Sequence, residues 1–370
     1  MKIGLITTID TNIGDDFIRE GILHVLRQVL PDEHFEFVMI NKHVPYTLYP
    51  KWHPIYWTRF IPKKRPLVSR VMSRMTAWAG LSVFEDCDAI IQCGAPVYWY
   101  DCHKAEWAEL FWRGIAGRLS KKIPVLNIAA GSCYPWERIP DTMANVQDAE
   151  YMKRIYDVCN KTIVRDPRSE LLLKSLGCAP VLLPCSAFLA AIPYQHLERT
   201  EEYVFINYMP GGSHYDFEQQ IDANQWKETM RSFALEAGKK HKVAFICHNQ
   251  KEYDAAKDLA PDVERFLPRS VKEYFELAAK GKVGIFNRMH ATVGFAGLGI
   301  SSMAIGADTR MLMVDHIKLP YRYVKDVTSE VLVKALDNLI ATKSSESERL
   351  LKLQSETVES YCKELRSVLL

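Results

Sequence analysis

Two α/β domains, each a parallel sheet covered by helices, with a further helix at the C-terminus, are what this sequence predicts. Three observations predict them. Short apolar runs of strand character alternate with helix-length amphipathic runs along most of the chain, the pattern of parallel strands joined by helical crossovers. The 370 residues exceed what one ordinary core holds. A polar, aperiodic stretch at 191–202, "AIPYQHLERTEE", follows an apolar run and divides the chain into two series.

In the first series strands are predicted at "IGLITT", "FEFVMI", "DAIIQC", "PVLNIAA", "KTIVR" and "PVLLP", with helices starting near Asp15, Lys104, Asn145 and Pro167. The second series runs "YVFINY", a helix over 222–240, "KVAFICH", a helix over 250–259, "KVGIF", a helix from His290, and "SSMAIG". The expected division is an N-terminal domain over 1–192, a C-terminal domain over 203–343 and a terminal helix over 344–370. Leu351, Val358, Tyr361, Leu365 and Val368 share one face of that helix, which is expected to pack across both domains or to cap the second alone.

Composition narrows the function. At 48% hydrophobic and 25% charged residues the chain has ample core and is not disordered. Its 47 basic residues are nearly matched by 45 acidic ones, so the net +2 gives no reason to expect a nucleic-acid partner. Nine cysteines without a CxxC pair fit neither a zinc site nor a disulfide framework and suit a reducing cytosol, so a cytoplasmic protein is expected. The first residues, "MKIGLITTI", enter a strand at once and leave no room for a signal peptide, and the longest apolar run, "PVLLPCSAFLAAIP", is broken by prolines.

The most informative stretch is "KVGIFNRMHATVGFAGLG" over 282–299. An apolar strand turns there into a small-residue helix closing on Gly299, and Arg288 and His290 fall at the turn. The carboxyl ends of strands in an open α/β sheet are where ligands bind, and a helix N-terminus there favours an anion. A solvated arginine and a structurally paired histidine would give the same pattern. Four earlier loops have the same logic. "DTNIGDDFIREGIL" puts Asn12 and Gly14 in a tight loop with Asp15 or Asp16 as helix cap. "DAIIQCGAPVYWYD" ends a strand on Gly94 and Ala95, and "PVLNIAAGSCYP" ends one on Gly131 and Ser132. "KTIVRDPRSELLLKSLG" places Arg165 and Asp166 at a strand end, Pro167 at the first helical position and Ser169 close by.

In this order the motifs resemble those of the polysaccharide pyruvyl transferases. The shared elements are "NIGD", a glycine-rich strand end (here "CGA"), "GS", "RDPRS" and "RMHA" followed by "SSMAIGADTR", over roughly residues 3–315. The sequence departs from the family pattern at Cys93 and Ala95 in place of glycines, at Cys185 in place of an aspartate before "SAF", and at Arg310 in place of a lysine. The resemblance implies a GT-B-like pair of domains facing a cleft. It also implies transfer of a pyruvyl group from phosphoenolpyruvate, as co-substrate and with no cofactor, to two hydroxyls of a sugar, giving a ketal and phosphate.

On that reading the donor contacts Arg165, Arg288, Asn287, Ser169 and Ser132, and the acceptor contacts Asn12, Gly14, Asp15 and Gly94. His290, Arg288 and Asp15 carry the chemistry: His290 as general acid, titrating only when donor is bound, and Asp15 orienting or deprotonating the acceptor. Guanidinium forks suit a phosphate beside a carboxylate and supply the neutralisation a metal otherwise would, so no metal is expected. Two other functions fit this architecture: a nucleotide-sugar-dependent glycosyltransferase, and a catalytically inactive glycan-binding relative.

One segment stands outside the resemblance. Over 42–84, Lys42, Lys51, Arg59, Lys63, Lys64, Arg65, Arg70 and Arg74 alternate with aromatics from Tyr49 to Trp78, with no acidic residue between Val38 and Phe84. Leu67, Val68, Val71, Met72, Met75 and Trp78 lie on one helical face, which predicts peripheral contact through 51–78 with the inner face of a membrane and with a lipid-linked oligosaccharide acceptor. A helix packed on the first domain with a solvated basic face fits the same pattern, and an acidic glycan is a further candidate partner.

Overall fold

The computed structural model describes residues 1–9, 12–42, 50–57, 71, 81–105 and 108–370. Two six-stranded sheets organise it, every pairing parallel. The first is built from β1 (Lys2–Thr7), β2 (Glu36–Asn41), β3 (Ala89–Tyr98), β4 (Val125–Ser132), β5 (Lys161–Val164) and β6 (Val181–Leu182), in spatial order β2-β1-β3-β4-β5-β6. The second contains β7 (Tyr203–Asn207), β8 (Val243–Ile246), β9 (Glu264–Phe266), β10 (Gly281–Phe286), β11 (Ser302–Gly306) and β12 (Tyr321–Tyr323), in order β12-β11-β10-β7-β8-β9. Strands such as β4 and β7 are buried at every residue, so they read as unbroken apolar runs rather than alternating ones. The order reverses between β1 and β3 in one sheet and between β7 and β10 in the other, which opens a crevice at the carboxyl edge of each.

The covering helices are α1 (Ile13–Val29), α2 (Val146–Val158), α3 (Pro167–Ser175), α4 (Ala223–Gly238), α5 (Gln250–Leu259), α6 (Val271–Ala278), α7 (Met289–Gly297) and α8 (Ser329–Leu369). Seven of them close their first turn with a side chain, but α7 starts at Arg288 without one. The cap of α1 is Asn12, whose Oδ1 accepts from Gly14 N at 3.1 Å, and not the expected Asp15 or Asp16; both aspartates sit in the first turn, against the helix dipole.

Sequence reasoning did not anticipate β9, β12 and α6, which have three, three and eight residues and carry too few turns or pleats to display a period. The helix expected near Lys104 is a short 3-10 turn, Cys102–Lys104, followed by a π-helical stretch over Ala108–Ala116. The terminal helix begins at Ser329, earlier than the predicted 344, because no glycine or proline interrupts the helical pattern from there to Leu369. It joins both halves of the molecule. Leu332, Leu336 and Leu339 sit in the core of the second domain, while Gln354 Nε2 donates to the carbonyls of Phe188 and Gly297, and Tyr361 Oη donates to Pro184 O at 2.8 Å. Leu351, expected on the buried face, is 38% exposed, and Leu350 is buried instead.

Most of the basic aromatic segment, including Arg59, Lys63, Lys64, Arg65, Arg70, Arg74 and Trp78, lies outside the described residues. Within it Trp52 and Trp57 are exposed and Tyr56 is buried. No helix among the described residues is long and apolar enough to cross a membrane.

Candidate active site

The two crevices face one another and enclose a cavity of about 630 Å³. Thr8, Asn12 and Asp15 reach it from the β1 end, Ala95, Pro96 and Trp99 from β3, Met209 to Phe217 from the loop after β7, and Asn287 to His290 from the β10 turn. Asp308 and Arg310 enter after β11.

Arg165 is the most unusual group on its wall. It is 1% exposed, yet no carboxylate among the described residues pairs with it. Nη1 contacts Cys185 Sγ at 3.8 Å and His290 Nε2 at 3.2 Å, while Nε and Nη2 are buried without a partner among the described residues. Burial pushes the Cys185 thiol up, so it supplies no counter-charge where the family pattern carries an aspartate. A guanidinium kept charged in such a place is strongly disfavoured unless an anion joins it. Gly131 makes the placement possible, because a Cβ there would stand 2.4 Å from Arg165 Nε.

Arg288 and Arg310, by contrast, are already neutralised. Arg288 donates through Nε to Glu252 Oε1 at 2.7 Å and through Nη2 at 2.5 Å. Glu252 is in turn held by Asn207 Nδ2, Asn249 Nδ2 and the backbone N–H of His248. Arg310 grips Asp308 through Nε and Nη2 at 2.8 and 2.6 Å, and its guanidinium lies 5.2 Å from the centre of the Tyr215 ring. Lys42, 3% exposed, adds a fourth cation; burial lowers it to about 8, opposed by Asp15 and reinforced by Arg165.

His290 sits among these groups as a neutral imidazole. Burial holds it well below its ordinary value, and Arg165, His248, Arg310 and Arg288 lower it further. Because a guanidinium only donates, Nε2 must be the acceptor in the contact with Arg165, and the ring proton is on Nδ1. The ring lies against the first turn of α1, where a Cβ on Gly14 would come within 2.8 Å of Nδ1. His248, behind it, faces Asn12 Oδ1 through Nδ1 at 3.2 Å and is lowered to about 4, first by burial.

Both histidines bind a proton more readily in the unfolded chain than in the fold. Stability is therefore full above their unfolded value of about 6.5 and is lost as pH falls toward the folded values. Thermal melting scanned from pH 8 to pH 4 should show a falling midpoint below about pH 6.5, and His248→Gln should flatten part of that fall.

Of the residues singled out from sequence, Asn12, Asp15, Arg165, Asn287, Arg288 and His290 converge on the cavity. Asn287 spends its amide on the fold, donating to Gly212 O and Ile305 O and accepting from Met209 N. Four others do not line the cavity. Ser132 Oγ joins Asp166 at 2.8 Å and Thr309 at 2.7 Å, and Ser169 gives its N–H and hydroxyl to Asp166. These serines fix the strand end that carries Arg165 and are fully buried. Gly94, at φ 48°, lies under α1, where a Cβ would meet Ile18 at 2.5 Å. Gly14 contributes the space occupied by His290. Ala95 does reach the cavity and keeps a φ of 110°, a backbone that costs a residue with a Cβ about 1–3 kcal/mol.

Sequence reasoning did not assign Lys42, Glu252, His248, Asn249, His214 or Tyr215 to the site. Lys42 carried a signal, since "MINK" ends β2 at the same edge as β1. Glu252 carried none, for it reads as one more first-turn carboxylate of α5. Away from the cavity, Asp101, His103 and Asp148 form the metal-sized cluster found among the described residues. Asp148 already accepts from His103 Nδ1 at 2.6 Å and from the backbone of Asp101 and His103.

The chain is similar in fold to UDP-GlcNAc 2-epimerase from Neisseria meningitidis bound to UDP-GlcNAc, at TM-score 0.58 and 11% identity over 98% of this chain and 100% of that one. UDP-GlcNAc 2-epimerase from Methanocaldococcus jannaschii gives TM-score 0.56 at 12% identity, covering 92% and 93%. Such likeness is one of architecture, the GT-B-like pairing of two α/β domains. No curated protein sequence matches the chain. A family model described as polysaccharide pyruvyl transferase matches residues 12–309.

Proposed function

The chain belongs to the polysaccharide pyruvyl transferase family, and from that premise we propose that it moves the pyruvyl group of phosphoenolpyruvate onto two hydroxyls of one sugar in a surface polysaccharide or its lipid-linked precursor. The observation that carries the reading is Arg165, a buried guanidinium with two nitrogens unpartnered among the described residues, at the edge of a cavity that also holds Arg288, Arg310 and Lys42. A ligand with a phosphate and a carboxylate on the same carbon supplies the anion this group lacks.

In the reaction the enol double bond takes a proton at its methylene carbon, and the sugar hydroxyls form two C–O bonds at the neighbouring carbon. The bond from that carbon to the phosphate oxygen breaks with its electron pair leaving on phosphate. The two hydroxyls release two protons, which balance the one gained by the new methyl group and the one gained by phosphate. His290 is the proposed donor to carbon, and Asp15, at the first turn of α1 and on the cavity wall, is the proposed acceptor from the sugar. The arginines neutralise the departing phosphate. The sugar is expected on the side formed by Trp99, Tyr215 and Phe217, whose rings offer apolar faces.

The test is calorimetric titration with phosphoenolpyruvate beside UDP- and ADP-sugars, followed by assay of phosphate release with sugar and lipid-linked acceptors. Saturable binding of phosphoenolpyruvate and acceptor-dependent phosphate release are expected. Binding of a nucleotide sugar with none of phosphoenolpyruvate would assign the cleft to glycosyl transfer instead.

A further inference from the structure

Arg165 and His290 meet across the domain boundary. Nη1 of Arg165 points its proton at the Nε2 lone pair from 3.2 Å. Protonating Nε2 in this arrangement would set two N–H groups against each other and add a charge among Arg165, Arg288 and Arg310, next to the positive N-terminus of α1. This contact keeps His290 neutral, and a neutral imidazole whose one proton is on Nδ1 has nothing to deliver from Nε2.

The charges around the cavity show what a donor would change. Phosphoenolpyruvate carries about three negative charges near neutral pH, two on phosphate and one on carboxylate. Arg288 and Arg310 already hold Glu252 and Asp308, and Lys42 feels the charge of Asp15, so of these cations Arg165 is the one with no carboxylate partner among the described residues. The positive charge in place falls short of the ligand's negative charge, and the titratable group best placed to make up the difference is the one Arg165 now covers.

We propose that donor binding draws Arg165 away from His290 and that Nε2 of His290 takes up a proton from solvent in the same step. The inference rests on the donor reading above and goes beyond it in one respect: Arg165 is a positioning residue for the acid as well as a ligand for the anion. The enzyme then holds an acid only when there is an enol to protonate, and the proton taken up on binding is the one passed to the methylene carbon. The groups facing His290 are Arg165, from the end of β5, Arg288 on its own turn, Arg310 after β11 and His248 after β8. The nearby carboxylates are Asp15, Glu252 and Asp308, the last two committed to arginines. His214 also lines the cavity and is lowered to about 4, so it is the competing site for the proton.

Calorimetry tests this with phosphoenolpyruvate as the probe, titrated into the full chain at about pH 8, some two units above the second phosphate ionisation, where the ligand brings no proton of its own. Parallel titrations in buffers of low and high ionisation enthalpy give the number of protons exchanged. The expected result is uptake of close to one proton by the parent and by His214→Gln, and close to none by His290→Gln, which should still bind with reduced affinity. Binding without uptake in the parent, or uptake that survives in His290→Gln, overturns the proposal while leaving the donor reading intact. No binding of phosphoenolpyruvate in any buffer overturns both.

Discussion

Arg165→Met is expected to change function and stability in opposite directions. Donor binding should weaken by at least a hundredfold, because two charge-assisted hydrogen bonds worth about 1.5–3 kcal/mol each have no substitute. The fold should gain stability or hold level, since methionine fills much of the same volume and the buried charge it replaces lacks a carboxylate partner among the described residues. Thermal melting without ligand, paired with calorimetric titration of phosphoenolpyruvate, reads both effects. A variant that melts several degrees below the parent would show that Arg165 supports the fold and is not a charge held for a ligand. Arg165→Lys should lose most of the binding as well, since an ammonium cannot present two N–H groups in one plane.

Glu252→Gln should do the reverse and cost about 3 kcal/mol of stability, because it leaves Arg288 charged, 12% exposed and without its partner. Asn207, Asn249 and the N–H of His248 would also face an amide where they now donate to a carboxylate. Two further measurements separate this pairing effect from simple misfolding. Phosphoenolpyruvate should raise the melting temperature of the variant more than that of the parent, since the ligand provides the missing anion. Adding Arg288→Met should restore much of the lost stability, because the two changes act on one pair and are not additive. If the double variant melts as low as Glu252→Gln, Glu252 supports the fold independently of Arg288.

Arg165 and Arg288 occupy equivalent places, each at the carboxyl end of a strand entering a helix, and the chain alone suggests that they clamp one anion together. Their surroundings make them different: one is locked to Glu252 and the other is left with a thiol and an imidazole. Ser132 ends β4 as expected but is spent on Asp166, and Gly94, expected at a strand end, lies inside β3, which runs on to Tyr98 beneath α1.

The two parallel sheets, most of their strands and helices, and the turns that converge on the cleft were legible in the order of residues. Those features follow from local patterns, a run of apolar residues long enough to cross a sheet and a period that places one helix face on it. Tertiary structure alone decided which charges are compensated, which tautomer His290 adopts and which glycines exist to make room for another residue's side chain. Each of these depends on atoms brought together from distant parts of the chain, such as Arg165 with His290 and Arg288 with Glu252. Electrostatic energy and steric overlap depend on those distances in space, and the order of residues along the chain does not specify them.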